Sequence, residues 1–164
     1  MRRTKTYIAA DWDNDKDGVD TLKYLLKKNN YYDFHDAHDA QQSRDTSLYC
    51  SVKKSLSERL DMSRIFILIV GDKTNKLTKG CCYNCSNYNR CSNSKSNKRY
   101  IEFECDKAAN DGLTIFVLYK DTKINKEKCV ESVRNIGYHL PMIYLNDWKQ
   151  YWDESLINHI FRSL

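Results

Sequence analysis

The hydrophobic and polar positions alternate along the chain between short apolar runs and stretches in which apolar residues recur at helical spacing. The apolar runs predict five strands, at 5–10, 31–34, 64–71, 113–119 and 141–145. The helical spacing predicts helices between and after them, at about 17–28, 47–60, 100–110, 126–136 and 152–164. Five strand and helix pairs with right-handed crossovers predict an α/β fold, a three-layer sandwich with a five-stranded parallel sheet.

The run 64–71, Arg-Ile-Phe-Ile-Leu-Ile-Val-Gly, is the strongest strand signal. A continuous apolar run is typical of a central parallel strand with helices on both faces. Sheets of this kind bind ligands beyond the carboxyl ends of their strands. This rule selects 11–15, 34–39, 71–74 and 120–121 as candidate site segments.

Length and composition are consistent with one domain over residues 1–164. The 164 residues include five Gly and one Pro, too few for the turns of an all-β fold. The N-terminal segment has no apolar run of signal or membrane-spanning length, so we expect a cytoplasmic protein without a membrane partner. Seven Cys are then expected as reduced thiols or metal ligands.

The net charge of +5 is unevenly distributed. A predicted insertion loop at about 72–98 is rich in Lys, Arg and Cys, whereas residues 11–20 contain five Asp and one Lys. A basic loop can meet nucleic acid or an acidic protein surface. Only Tyr83 and Tyr88 supply aromatic rings in this loop, which disfavours nucleic acid as the partner.

Four thiols fall within eleven residues of the insertion loop. Cys82, Cys85 and Cys91, which follow Cys81, are candidate zinc ligands because Cys pairs at this spacing bind zinc in structural sites. A surface loop with reactive thiols is the alternative, since a zinc site usually draws ligands from two separated elements.

The predicted helix 100–110 contains two candidate catalytic carboxylates, Glu102 and Glu104. Ile101, Cys105 and the alanines at 108 and 109 define its buried side, and both acids flank that side. Spacing alone does not choose between them, although a partly buried Tyr100 shifts the apolar centre toward Glu104. The alternative is that both acids are solvated and neutralise Arg99 and Lys107.

Several enzyme classes lack their motifs. The chain has no GxxxxGK or GxGxxG phosphate loop, and no nucleophile elbow. A receiver-type phosphorylation site needs an Asp at the end of the third strand, where the chain has Gly71 and the acid is displaced to Asp72. Phosphoryl transfer and dinucleotide binding of the Rossmann type are therefore disfavoured.

Five segments, in this order and spacing, resemble the TIR-like domains of bacteria, in particular the small TIR-like proteins of Thoeris-type antiphage defence. They are YIAADW at 7–12, YDFHD at 32–36, VKKSLSERL at 52–60 before ILIVG at 67–71, and the Phe103-Glu104 pair before TIFVLY at 114–119.

The resemblance implies a flavodoxin-like fold and an enzyme that cleaves NAD, its substrate, between ribose and nicotinamide, as a glycohydrolase or an ADP-ribosyl cyclase. It gives Glu104 the place of the catalytic glutamate. The residues expected to line the substrate pocket are Ala10, Asp11, Trp12, Phe34, Asp36, His38 and Gly71.

The resemblance also implies partners: self-association, a phage-derived trigger and a downstream effector that responds to the nucleotide signal. Ala9 or Ala10 stands where the family often has Ser, and the insertion loop is longer than usual. The alternative is a non-enzymatic TIR-type interaction or sensor module that acts through protein contacts.

Overall fold

A computed structural model of the chain describes residues 4–36, 49–77, 80–81 and 98–162. The strand predicted as central is β3, Ser63–Val70, in which every side chain except that of Arg64 is buried. It lies between two parallel neighbours, as its continuous apolar sequence predicts.

The main sheet has five strands, all parallel, in the order β2-β1-β3-β4-β5. This confirms the predicted five-stranded parallel sheet. The sequence order reverses between β1 and β3, so the crevice expected for a ligand lies beyond their carboxyl ends. The other strands are β1 Lys5–Ala9, β2 Phe34–Asp36, β4 Thr114–Tyr119 and β5 Tyr138–Pro141.

Helices cover both faces of the sheet, which confirms the three-layer architecture. Helices α1, Trp12–Lys28, and α4, Leu156–Phe161, pack on one face, here called the α1 face. Helices α2, Tyr49–Asp61, and α3, Tyr100–Asn110, pack on the other, here called the α3 face. Within the described ranges, none of these helices has the length and apolar character needed to cross a bilayer.

The prediction of a helix at 126–136 is wrong. Two short 3₁₀ turns, Lys126–Lys128 and Glu131–Val133, occupy this segment, and extended backbone at Cys129 and Val130 separates them. Cys129, Val130 and Val133 are nevertheless buried. The spacing therefore identified buried positions correctly, but two single turns present those side chains to the core without a continuous helix.

The strand predicted at 141–145 is also placed wrongly. The fifth parallel strand is Tyr138–Pro141, and residues beyond it form an antiparallel hairpin of β6, Ile143–Asn146, and β7, Lys149–Trp152. Gly137 permits the close approach of β5 to β4, since its φ is 79° and a Cβ there would lie 2.5 Å from the Ile115 carbonyl oxygen.

Two helix starts differ from the prediction. Helix α1 begins at Trp12, before the predicted start at about residue 17, with a local kink at Asp15. The last helix begins at Leu156, because Trp152 pairs with Ile143 in the hairpin.

A buried ion pair joins three segments at the carboxyl edge of the sheet. Asp15 in α1 is 1% exposed, and its Oδ1 lies 2.9 Å from the Lys120 Nζ after β4. A Cβ at Gly71, after β3, would lie 2.0 Å from the same oxygen. The absence of a side chain at Gly71 therefore gives the Asp15 carboxylate its space, and Lys120 gives it a counter-charge.

Burial raises the pKa of Asp15 above its usual value, and the hydrogen bond and charge of Lys120 oppose this effect. Lys120 also contacts Asp17, 3.0 Å away, and donates to the Asn14 carbonyl oxygen at 2.8 Å. The ammonium group thus holds the kinked first turns of α1 against the sheet edge.

We expect Lys120→Met to lower the free energy of unfolding by about 2–4 kcal/mol at neutral pH, because it leaves the Asp15 charge buried without its counter-charge. The loss should shrink as the pH falls and Asp15 takes up a proton, since a raised pKa favours the folded state at lower pH. Urea unfolding at several pH values measures this.

Lys128→Met is the matched control, because it removes an ion pair to Asp72, which is 87% exposed. A loss of stability equal to that of Lys120→Met, or one that does not change with pH, would contradict a role for the buried Asp15 charge.

Candidate functional site

Helix α3 begins with one half of a capping box, in which the Glu102 side chain reaches back to the Arg99 backbone. The Arg99 backbone N–H donates to Glu102 Oε2 at 2.9 Å, and the Arg99 guanidinium also contacts Glu102 Oε1. Arg99 further donates to the Asn75 and Leu77 carbonyl oxygens at 2.8 and 2.7 Å. The first turn of α3 is thereby attached to the segment that follows β3.

The apolar side of α3 faces the sheet, and Glu104 lies on this side of the helix. Tyr100, Ile101, Cys105 and Ala108 are buried on the α3 face. Glu104 is 2% exposed, and its Oε1 accepts a 2.5 Å hydrogen bond from the Tyr7 hydroxyl of β1. Tyr7 is fully buried and stacks on Phe66 of β3, with 5.8 Å between ring centroids.

This arrangement gives Glu104 a precise position. A carboxylate removed from water is costly unless it is hydrogen-bonded, and the rigid ring of Tyr7 supplies a donor of fixed direction. Such a group can stabilise positive charge that develops beside it, because little solvent screens the interaction.

The thiol next to Glu104 is not suited to nucleophilic chemistry. Burial raises the pKa of Cys105 well above its usual value, and the negative charge of Glu104 raises it further. A thiol in this environment stays protonated near neutral pH. The carboxylate is therefore the group of this pair that can act chemically.

Glu102 lies in a different environment. It is half-buried on nearly the opposite side of α3, and the hydrogen bond from Arg99 holds its pKa below the usual value. Spacing alone left Glu102 and Glu104 as alternatives. In the structure Glu104 is the desolvated acid held against the sheet, whereas Glu102 has a capping role.

Three predicted pocket residues lie at the carboxyl end of β1. Asp11 is 4% exposed and accepts a 2.6 Å hydrogen bond from Asn14 Nδ2, while its carbonyl oxygen accepts from the Asn14 and Asp15 amides. Ala10 and Trp12 are partly buried against the α1-face core. Asp11 thus starts helix α1 and is largely enclosed.

Phe34 and Gly71 come from opposite ends of two strands that flank β1. Phe34 begins β2, opposite Thr6, so the strand predicted at 31–34 lies later in the chain, whereas Gly71 follows the carboxyl end of β3. Phe34 of β2 is partly buried against the α1-face core. The Gly71 amide donates to Thr74 Oγ1 at 2.9 Å, and its Cα faces the Asp15 carboxylate. The structure therefore brings Ala10, Trp12 and Phe34 to the α1 face, whereas Glu104 lies on the α3 face.

Other predicted residues lie outside what the structure describes. Asp36 ends β2, opposite Ile8 of β1, and its side chain is not among the described ones. His38 and the candidate zinc ligands Cys82, Cys85 and Cys91 lie outside the described residues. In the described ranges, no group of His, Cys, Asp or Glu is arranged to hold a metal ion.

Sequence reasoning missed Tyr7, the partner of Glu104. The available signal was a phenol in the middle of an otherwise apolar strand, where the hydroxyl must find a buried partner. The burial of Asp15 was also missed, because a segment rich in Asp is expected to be exposed to solvent.

A parallel sheet of order 2-1-3-4-5 with helices on both faces is the flavodoxin-like architecture that the resemblance to TIR-like domains implies. Residues 7–79 match the family model described as Thoeris protein ThsB, TIR-like domain. This segment is less than half of the 164-residue chain. Over it the chain resembles the TIR-like proteins of Thoeris antiphage defence, and the match supports a role in that defence.

The matched segment runs from β1 to the loop after β3, so α3 and Glu104 lie outside it. No curated protein matches the chain significantly. The roles of Glu104 and of the pocket residues therefore remain predictions that rest on the geometry and on the resemblance.

We expect Tyr7→Phe to lower the free energy of unfolding by about 1–3 kcal/mol, because it leaves Glu104 Oε1 buried without this hydroxyl donor. Tyr24→Phe is the matched control, since Tyr24 is 61% exposed and should tolerate the change. Equal unfolding midpoints for the two variants in urea would contradict a structural role for the Tyr7 hydroxyl.

Proposed function

We propose that the chain is an NAD-cleaving TIR-like enzyme whose product is a nucleotide signal in antiphage defence, with Glu104 as the catalytic residue. The observation that carries this proposal is the buried Glu104 carboxylate on the helix before β4. It accepts a hydrogen bond from Tyr7 of β1. The family match over residues 7–79 supports the class of protein to which this carboxylate belongs.

The proposed reaction suits a single, well-placed carboxylate. The bond between the nicotinamide nitrogen and the ribose carbon breaks, and its electron pair leaves with neutral nicotinamide. The ribose becomes oxocarbenium-like, and a nearby negative charge stabilises it. Water then attacks that carbon and loses a proton to give ADP-ribose, or an internal hydroxyl does so to give a cyclic product.

Access to the site requires movement, because Glu104 is 2% exposed. We infer that self-association or a phage-derived trigger opens the α3 face to NAD, and that the product acts on a downstream effector. In the open state the substrate would extend from Glu104 across the carboxyl edge of the sheet to Ala10, Asp11 and Trp12 after β1. Gly71 after β3, and Phe34, Asp36 and His38 in and after β2, would complete the pocket. Zinc at Cys82, Cys85 and Cys91 would order the insertion loop.

A second candidate function is a TIR-type interaction module without turnover. The β6–β7 hairpin favours it, since Trp148 at its tip is 97% exposed and the Tyr144 and Tyr151 rings stack beside it, also exposed. Exposed aromatic patches often mark protein contacts. An interaction module would bind a partner through such a surface and release no nicotinamide.

The enzyme assignment is tested by incubating the protein with NAD, with and without a crowding agent, and measuring the released nicotinamide by chromatography. We expect Glu104→Gln to lower the rate about 10²–10³-fold, because it removes the charge that stabilises the oxocarbenium ion. Glu102→Gln is the matched control on the same helix and should keep most of the activity at a temperature where both variants are folded.

Absence of nicotinamide release under every condition would favour the interaction module. An unchanged rate in folded Glu104→Gln, or an equal loss in Glu102→Gln, would reject Glu104 as the catalytic residue.

A further inference from the structure

A cavity of about 760 Å³ lies on the far side of α3 from Glu104. Glu102 and Asp106, one helical turn apart on α3, line it. Residues Cys129 to Ser132 and Arg134, after β4, and Asn75, after β3, line it as well. Cavities of this size are typical of small-molecule sites.

Three residues that line this cavity each have a buried polar atom without a hydrogen-bond partner among the described residues: Asn75 Oδ1, Ser132 Oγ and Arg134 Nε. The orientations of two of these side chains are fixed by other bonds. Asn75 Nδ2 donates to the Glu127 carbonyl oxygen at 2.5 Å, and the Arg134 guanidinium donates to the Cys129 carbonyl oxygen at 3.2 Å. Buried polar atoms of native proteins are normally paired, and these three are left for a polar group that reaches them from the cavity.

The charges of the cavity wall are only partly balanced. Lys98 pairs with Asp106, and Arg99 pairs with Glu102. Arg134 has no carboxylate partner, and Glu131 has no cationic partner, within the described ranges. The cavity thus offers one guanidinium for an anion and one carboxylate for hydrogen-bond donors.

We propose that this cavity binds a small sugar that carries an anionic group, a phosphate or a carboxylate. Arg134 and Ser132 donate to the anionic group, since a guanidinium and a hydroxyl match its oxygens. Asn75 Oδ1 and the Glu131 carboxylate accept from sugar hydroxyls. No aromatic side chain lines the described wall, so the ring it fits is a sugar and not a stacked base.

The proposed site is separate from the proposed NAD site. Residues 102 and 106 face the cavity, whereas residue 104 lies nearly opposite on the helix and contacts Tyr7. Binding in the cavity therefore does not need the Glu104 carboxylate, and the two proposals can fail independently.

Isothermal titration with ribose 5-phosphate and with gluconate tests the site, with ribose and inorganic phosphate as partial probes. We expect at least one of the two anionic sugars to bind the unaltered protein and to lose affinity at least about tenfold in Arg134→Gln. Ser132→Ala should also weaken binding. Arg162→Gln, which changes an exposed arginine outside the cavity, and Glu104→Gln should bind as the unaltered protein does.

Three results would overturn the proposal: no binding of either anionic sugar, unchanged affinity in folded Arg134→Gln and Ser132→Ala, or equally tight binding of inorganic phosphate. Circular dichroism checks that each variant is folded. If Arg134→Gln does not fold, the affinity of Ser132→Ala decides.

Discussion

The hydrogen bond from the Tyr7 hydroxyl to Glu104 joins helix α3 to strand β1. A buried carboxylate is tolerated only with such a partner, and Tyr7 can supply it because β1 and β3 are neighbours and its ring stacks on Phe66. This contact sets the rotation of α3. With Glu104 directed at the sheet, Glu102 and Asp106 necessarily face away from it, toward the cavity.

A second buried carboxylate performs a comparable task at the carboxyl edge. Asp15 connects α1 to the ends of β3 and β4 through Gly71 and Lys120. The two carboxylates occur in different chemical settings. Asp15 is balanced by an ammonium group, whereas the hydrogen bond from Tyr7 to Glu104 comes from a neutral phenol. The proposed reaction uses the Glu104 carboxylate to stabilise a cationic transition state.

The sequence predicts most of the sheet because its strongest signals are local. The run 64–71 can only be a strand covered on both faces, and the buried side of α3 follows from the spacing of Ile101, Cys105 and Ala108. The errors arise where the same apolar spacing fits more than one structure. Single 3₁₀ turns at 126–136 bury the same residues as a helix would, and the hairpin after Pro141 depends on pairing between β6 and β7.

The candidate site was predictable in part for the same reason. The helix pattern leaves Glu102 and Glu104 as alternatives, and the resemblance gives Glu104 the place of the catalytic glutamate. Tyr7 and the cavity wall were not predicted, because both depend on contacts between segments far apart in sequence. Tyr7 and Glu104 are 97 residues apart, and Asn75 meets Arg134 and its neighbours only in the folded chain.

The position of NAD in a crystal structure of the Glu104→Gln variant, grown with NAD, tests the central claim most directly. The account predicts that the nicotinamide ribose lies within hydrogen-bonding distance of the side chain at position 104, beside the Tyr7 hydroxyl. NAD bound in the cavity beside Glu102, with its ribose distant from position 104, would contradict it.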